Sequence, residues 1–132
     1  MEEHKISLAP GGEALIGIMS VRNDGDAHAV LTVRGDGPIL RRELIIDHND
    51  ANTPALRIYY LVTVLYMVPD AFTNLKEYFI NATKEMVETL PQSRTIMSEI
   101  GRSVIMGDYA QAHEFCFQLM ALEESVANGL DP

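Results

Sequence analysis

The chain is poor in the residues that would cross-link a fold or attract nucleic acid. Its 132 residues include a single cysteine, Cys116, which excludes an internal disulfide. Cys116 lies at helical spacing among Phe115, Leu119 and Met120, which predicts a small buried side chain rather than a reactive thiol. Lysine and arginine together number ten against nineteen acidic residues, for a formal net charge of -9. This balance opposes extended contact with a phosphate backbone.

Long apolar runs are equally scarce. The longest, residues 58–68, is shorter than the roughly 20 residues of a membrane-spanning helix and is closed by Pro69. Glu2 and Glu3 stand where a secretory signal carries positive charge, and no long apolar core follows them. We therefore expect a cytoplasmic protein that does not contact a membrane.

Patterns of catalytic or metal-binding residues are lacking too. No two histidines have the helical or short-loop spacing of a metal site, and the glycines lie in turns rather than in a phosphate-binding loop. Acidic residues of the helical part fall on faces expected to be solvated, which gives little support for paired-carboxylate catalysis. The sequence therefore predicts no enzyme, no metal site and no cofactor. Structural or exposed roles are expected for all four histidines, His4, His28, His48 and His113.

The first part of the chain has the alternation of strands. A hydrophobic fraction of 47% is sufficient for a packed core. Turn-forming residues separate four short predicted strands, at residues 5–8, 14–21, 29–34 and 39–46. Because so small a sheet buries only one face, we expect it to pack on the helices or on a second copy of itself.

From Thr53 onward the hydrophobic period becomes helical. Thr53 and Pro54 have the chemistry of a helix cap and first turn, and the helix that follows is apolar on nearly every side, as a core helix would be. Asp70 is expected to cap a second helix, and a third is expected to end at Gly107. A capping box at residues 108–111 predicts the start of a fourth.

These patterns predict an α+β protein: a small N-terminal antiparallel β meander over residues 1–50, followed by an antiparallel bundle of about four helices over residues 51–132. We expect the two parts to form one compact unit and the protein to be a homodimer. Ile105 is expected on the apolar face of the third helix. Packing roles are also predicted for six methionines, Met19, Met67, Met86, Met97, Met106 and Met120.

Positive charge is concentrated at one place only, Arg41-Arg42. Residues 1–57 carry six basic and nine acidic residues, whereas residues 58–132 carry four and ten, so any RNA contact is expected in the first part. Adjacent strand residues point to opposite faces, so one of the two arginines should face outward. It could pair with Glu43 or Asp47 for solubility, or it could contact a phosphate or a base.

Three segments together resemble the FlbT family of flagellin regulators, and they span nearly the whole chain. They are residues 6–13 (ISLAPGGE), 53–60 (TPALRIYY) and 107–112 (GDYAQA). The second is the most specific, because a capped helix start is followed at once by arginine and aromatic residues. The motif residues expected to bind a partner are Thr53, Pro54, Arg57, Tyr59 and Tyr60.

The resemblance implies a post-transcriptional regulator of flagellin synthesis that binds the 5′ untranslated leader of flagellin mRNA and alters its stability or translation. The strand-forming part is also faintly similar to the carbon storage regulator family, in which an arginine before glutamate contacts RNA. Carried over to this chain, that similarity nominates Arg42, with Arg41 beside it. The full set of expected RNA-binding residues is Arg41, Arg42, Arg34, Arg22 and Lys5.

A second hypothesis makes the protein an adaptor. Its helical surface would bind a protein such as flagellin or a FlaF-type partner, and its effect on mRNA would be indirect. The acidic charge balance favours this alternative, whereas the resemblance favours direct RNA contact.

Overall fold

The computed structural model describes residues 2–17, 19–35 and 37–129. The chain divides into two compact units, residues 1–45 and residues 46–132. Within the described ranges the first unit contains five strands and the second contains four α-helices. The predicted α+β class, with antiparallel strands before a helical bundle, is confirmed.

The strands form two small antiparallel sheets. One sheet pairs β1 with β4, and the other has β2 at its centre between β3 and β5. The strand order is therefore not sequential, because β1 pairs with β4 while the β2–β3 hairpin, which lies between them in sequence, belongs to the other sheet. The strand bounds are β1 Glu3–Leu8, β2 Glu13–Ile16, β3 Met19–Arg22, β4 Ala29–Arg34 and β5 Ile39–Arg41.

Two of the predicted strands were too long. The predicted strand at residues 14–21 is a hairpin in which Ile16 pairs with Met19. Gly17 has a φ of +61°, a left-handed conformation that suits a tight turn, while residue 18 lies outside the described residues. The predicted strand at residues 39–46 ends at Arg41, where a 3-10 turn begins.

Asn23 explains why β1 pairs with a distant strand. Its side-chain amide donates to the carbonyl oxygens of Leu8, at 2.9 Å, and of Ala27, at 2.8 Å. These bonds hold the end of β1 next to the start of β4, where Leu8 is paired with Ala29. An asparagine that reads as an ordinary turn residue in the sequence therefore sets a long-range pairing.

Both sheets contribute to one small apolar core. Ile6 and Leu8 of β1 and Ala14 of β2 are buried. Partly buried residues from β2, β3, β4 and β5 surround them, namely Ile16, Val21, Leu31, Val33 and Ile39. The first unit is thus held by contact between the inner faces of its two sheets.

The four helices begin and end largely where the sequence predicts. Thr53 accepts a hydrogen bond from Leu56 N at 3.2 Å, and Asp108 accepts one from Gln111 N at 3.2 Å, so both predicted caps are confirmed. Gly107 ends the third helix with a φ of +74°. The helix bounds are α1 Pro54–Met67, α2 Phe72–Thr89, α3 Arg94–Ile105 and α4 Tyr109–Ala127.

The predicted cap of α2 is wrong. Asp70 lies inside the 3-10 turn Pro69–Ala71, and α2 begins only at Phe72, after Ala71, with no side-chain cap. The turn continues directly into the helix, and its backbone occupies the place where a side-chain cap would act. None of the described helices has the length and apolar character required to cross a membrane.

The helical core is built around α1. This helix packs against α2 and α4, and α3 packs against α4. Its fully buried positions include Ala55, Ile58, Val62 and Leu65, as its apolar surface predicts. Cys116 of α4 is buried too, and burial raises the pKa of its thiol to about 12.

Three apolar residues do not pack as predicted. Ile105 and Met106 at the end of α3 are 82% and 76% exposed, and Met19 at the start of β3 is 63% exposed. Val104 lies in the same last turn and is buried with Met97 and Ile100, whereas Ile105 and Met106 follow it at successive steps of about 100° around the helix and point away from that buried stripe. An apolar residue at the edge of a helical stripe is not necessarily covered by a neighbouring helix.

His113 of α4 is enclosed by aromatic rings. Its ring centroid lies 5.0 Å from that of Tyr59, 5.8 Å from Tyr66 and 5.2 Å from Phe117. Its Nε2 atom is buried and has no hydrogen-bond partner among the described residues. Burial lowers the pKa of His113, with an opposing contribution from Glu114, because the charged imidazolium would lose its hydration.

Acidification from about pH 7.5 to about pH 5.5 should therefore weaken the fold through His113. The unfolded chain binds a proton at this histidine before the folded chain does, so stability falls with pH across that window. Urea unfolding monitored by circular dichroism at both pH values should show that acidification lowers the free energy of unfolding less in His113→Phe than in the wild type. The control His48→Gln, which removes an exposed imidazole of the same unit, should keep the wild-type loss. An unchanged loss in His113→Phe would contradict the assignment.

Candidate nucleic-acid interface

The paired strands β1 and β4 present one face to the core and the other to solvent. Side chains alternate along each strand, so every second residue is exposed. We call the six exposed residues the ribbon face. They form three cross-strand pairs, Glu3 with Arg34, Lys5 with Thr32, and Ser7 with Val30.

Arg41 reaches the edge of β1 from the other sheet. It ends β5 opposite Ala14, and its Nη1 atom donates a 2.9 Å hydrogen bond to the main-chain carbonyl oxygen of Ser7. Ser7 and Lys5 are two residues apart on β1, a separation of roughly 7 Å along the strand. The guanidinium of Arg41 therefore lies at the edge of β1 beside the ribbon face, two residues along the strand from Lys5.

Arg41 and Arg42 each bond to a main-chain carbonyl oxygen. Arg42 begins the 3-10 turn, and its Nη1 atom donates to the carbonyl oxygen of Ile45 at 3.2 Å. Among the described residues no carboxylate pairs with either arginine, so the alternative pairing with Glu43 or Asp47 is not formed. A guanidinium has five N–H donors, and one bond to an uncharged carbonyl leaves its charge and its other donors available.

Arg22 and Arg34, by contrast, are held by acids. Arg34 Nε lies 2.8 Å from Glu3 Oε1, and Arg22 Nε lies 2.6 Å from Asp24 Oδ1. Glu13 approaches Arg22 as well, with an oxygen 4.0 Å from Nη1. A phosphate would have to compete with these carboxylates, which makes the two arginines weaker anchors.

The structure thus separates the five predicted RNA-binding residues. Lys5 and Arg34 lie on the ribbon face and Arg41 bonds to the edge of β1 beside it, whereas Arg22 lies at the end of β3 and Arg42 lies in the turn after β5. Ser7 and Thr32 supply hydroxyl groups on the same face. Positive charge alone does not identify these two residues in the sequence. Their alternation with Lys5 and Arg34 is visible in the sequence once the strands are paired.

The residues of the TPALRIYY motif have a different setting. Thr53 Oγ1 donates a 2.6 Å hydrogen bond to Glu123 Oε1, and Ala55 N donates a 2.9 Å bond to Glu123 Oε2. A carboxylate from α4 thereby closes the N-terminus of α1, where free N–H groups and the helix dipole favour negative charge. Thr53 and the backbone of Ala55 therefore anchor the start of α1 to α4, and Pro54 occupies the first turn between them.

Arg57 has an anchoring position as well. Its Nε atom lies 2.9 Å from Glu85 Oε1 of α2, and its Nη1 atom donates to Ala51 O at 3.4 Å. Sequence reasoning assigns the acids of α2 and α4 to solvated faces and so misses Glu85 and Glu123. Their partners lie 28 and 70 residues away in the chain, and no local pattern identifies such pairs.

The two tyrosines of the motif point to different surroundings. Tyr59 is buried against His113 and Phe117, which is a packing role. Tyr60 lines an open cleft of about 440 Å³ on the helical unit, together with Arg57, Tyr78 and Asn81. Among the described residues no three His, Cys, Asp or Glu side chains are grouped as metal ligands would be.

Residues 4–127 match the model of the family described as flagellar protein FlbT. The chain belongs to the FlbT family. This membership confirms the resemblance carried by the three motifs, and the family is a regulatory one rather than a known enzyme family.

Several curated FlbT proteins are similar to the chain over most of their length. A probable flagellum biosynthesis repressor protein FlbT 1 from Bradyrhizobium diazoefficiens is 33% identical over 123 residues, covering 92% of this chain and 83% of the relative. One from Rhodopseudomonas palustris is 28% identical over 122 residues, covering 92% and 95%. The flagellum biosynthesis repressor protein FlbT of Caulobacter vibrioides is 25% identical, covering 91% and 86%. These names support a regulatory role in flagellum biogenesis. No solved structure is significantly similar.

Removal of the Glu123 carboxylate should destabilise the helical unit. Glu123→Ala leaves Ala55 N and the Thr53 hydroxyl without their acceptor, at a cost of about 1–3 kcal/mol in the free energy of unfolding. Chemical unfolding of Glu123→Ala, Thr53→Ala and the double variant should give a coupling of about 0.5–3 kcal/mol. Glu124→Ala, at an exposed neighbouring position, should change stability by less than about 0.5 kcal/mol. Additive effects of the two single substitutions would refute the contact.

Proposed function

We propose that this FlbT protein represses flagellin synthesis after transcription by binding the 5′ untranslated leader of flagellin mRNA at the ribbon face. The observation that carries the proposal is that Lys5 lies on the exposed ribbon face and Arg41 bonds to the edge of β1 beside it, with no carboxylate of the described residues paired to either. The names of the relatives, flagellum biosynthesis repressors, support the regulatory part.

The other residues of the ribbon face suit a single-stranded or looped RNA. The hydroxyls of Ser7 and Thr32 lie on the same face as the cations and can bond phosphate oxygens or 2′-hydroxyl groups. Val30, which is 66% exposed, offers an apolar contact to a base. A splayed strand could therefore follow the ribbon with its backbone along the cations and its bases toward Val30.

Contact with RNA would depend chiefly on charge. Residues 1–45 contain no Phe, Tyr or Trp, so this unit has no aromatic side chain on which bases could stack. The unit also carries seven acids against five basic residues. Where these acids are exposed, they repel RNA. Binding at this surface should consequently be weak and steeply dependent on salt.

Substitution of the unpaired cations tests the proposal. In gel-shift titrations against a flagellin leader RNA at several salt concentrations, Lys5→Ala and Arg41→Ala should each weaken binding. Each should also reduce the slope of log K against log salt by about 0.7, the value for one phosphate contact on a single strand. Arg41→Lys keeps the charge and should retain most of the slope. Arg22→Ala should have the smaller effect, because Asp24 already pairs with Arg22.

The matched control is Arg94→Ala. Arg94 is an exposed cation of the helical unit that forms no ion pair among the described residues, and its removal should leave the slope unchanged. If Arg94→Ala reduces binding as much as Lys5→Ala, the protein attracts RNA only through its overall charge. If all variants bind like the wild type, the ribbon face is not the contact.

The charge of the helical unit favours a second function, that of an adaptor for a protein partner such as flagellin or a FlaF-type protein. Residues 46–132 carry twelve acids and five basic residues, a net charge of -7, and such a body repels RNA. Under this alternative the purified protein would shift leader RNA only when the second protein is added.

A further inference from the structure

An apolar groove lies between α2 and α3 of the helical unit. Its volume is about 360 Å³, and these two helices pack only lightly against each other. The apolar walls are formed by Phe72, Phe79, Ile80, Val104 and Ile105. Ile80 and Ile105 are 42% and 82% exposed, so the groove presents uncovered apolar surface to solvent.

Gly101 keeps this groove open. It lies within α3, where glycine costs roughly 0.5–1 kcal/mol of helix stability relative to alanine. A Cβ placed on Gly101 meets no described atom within 4 Å outside its own helix backbone, so packing does not require glycine there. The α3 wall of the groove is therefore open at Gly101.

Positive charge flanks the groove in a strongly acidic unit. Lys76, Ile80 and Lys84 are spaced four residues apart and form one ridge of α2, with the isoleucine between the two lysines. Neither lysine is ion-paired among the described residues, and no carboxylate lines the groove. Only five cations oppose twelve acids in this unit, yet two of the five stand at this site.

We propose that the α2–α3 groove binds an amphipathic helix of a partner protein whose apolar stripe is flanked by acidic residues. The apolar stripe would fill the space over Gly101 against Ile80 and Ile105, and the acids would meet Lys76 and Lys84. The proposal extends the adaptor function to a defined surface and partner chemistry, and it does not depend on RNA contact at the ribbon face.

A second copy of the chain fits the groove less well. Self-association about a two-fold axis would bring equivalent surfaces together, so the lysine ridge of one copy would face the lysine ridge of the other. Like charges placed together in this way oppose association. An acidic helix supplies the opposite charge instead.

Two synthetic helical peptides test the chemistry with the full-length protein. They share one leucine stripe, and the stripe is flanked by glutamate in one peptide and by lysine in the other. Fluorescence anisotropy should show the wild type binding the glutamate peptide roughly tenfold more tightly than the lysine peptide, as two exposed charge pairs allow. The double variant Lys76→Glu, Lys84→Glu should reverse this preference. Arg94→Glu, which removes a cation outside the groove, should leave it unchanged.

Two further variants test the apolar part. Gly101→Leu fills the groove and should weaken both peptides at least tenfold, with circular dichroism confirming that the helices remain. Ile105→Ser alters a side chain that is largely exposed, so this variant should fold normally. It should weaken the binding of both peptides, which keeps the test available if Gly101→Leu fails to fold. Both variants should shift leader RNA as the wild type does, so failure of this proposal would be distinguishable from failure of the RNA proposal.

Specific outcomes would overturn the proposal. One is that the wild type binds neither peptide, and another is that the lysine reversal leaves the peptide preference unchanged. Sedimentation of a wild-type dimer that Ile105→Ser converts to monomer would assign the groove to a second copy instead. Tight binding of anionic phospholipid vesicles in place of both peptides would assign it to a membrane surface.

Discussion

The scarcity of positive charge governs which surfaces of this protein can attract an anionic partner. Ten cations face nineteen acids, so an unpaired cation on the surface is the exception. Four arginines, Arg22, Arg34, Arg57 and Arg102, are ion-paired with acids of the described residues. Of the six remaining cations, Lys5 lies on the ribbon face with Arg41 at the strand edge beside it, and Lys76 and Lys84 flank the α2–α3 groove. The two surfaces proposed for binding are therefore the two places where positive charge is both free and concentrated.

The acids of the helical unit are not all solvent-facing charge. Because α1 is enclosed on most sides, its first N–H groups are less accessible to water, and Glu123 accepts from one of them while also holding the Thr53 hydroxyl. Glu85 similarly connects α2 to Arg57 near the start of α1. The TPALRIYY motif thus supplies the helix start to which α2 and α4 are attached. The most specific motif of the sequence therefore reflects assembly of the bundle. Within the motif, Arg57 and Tyr60 also line a cleft.

Local chemistry could be predicted from the sequence, whereas long-range partners could not. Thr53 and Asp108 cap helices through residues three positions away, and Gly107 ends the helix that directly precedes it. These roles can therefore be predicted from the neighbouring residues in the sequence. The pairing of β1 with β4 depends on the Asn23 side chain reaching Leu8, fifteen residues earlier, and the sequence shows Asn23 only as a turn residue.

The candidate sites follow the same rule. The Arg41-Arg42 concentration was visible, but its neighbours on the ribbon face appear only when β1 and β4 are paired. The helical period correctly placed the apolar face of α3 but predicted that Ile105 would be covered. Ile105 follows the buried Val104 by one residue and therefore points to a different side of α3, where it lines the groove between α2 and α3.

The small size of the first unit couples its stability to its proposed binding surface. A unit of 45 residues is near the lower limit for folding around an apolar core alone, and only Ile6, Leu8 and Ala14 are buried in its core cluster. Polar bonds between strands therefore matter more than in a larger domain, and the Arg41 bond to Ser7 joins the two sheets. Arg41 thus has two roles, whereas Lys5 on the same face has no such bond to maintain. An effect shared by both substitutions would report the ribbon face itself, because only the Arg41 substitution also loosens the contact between the sheets.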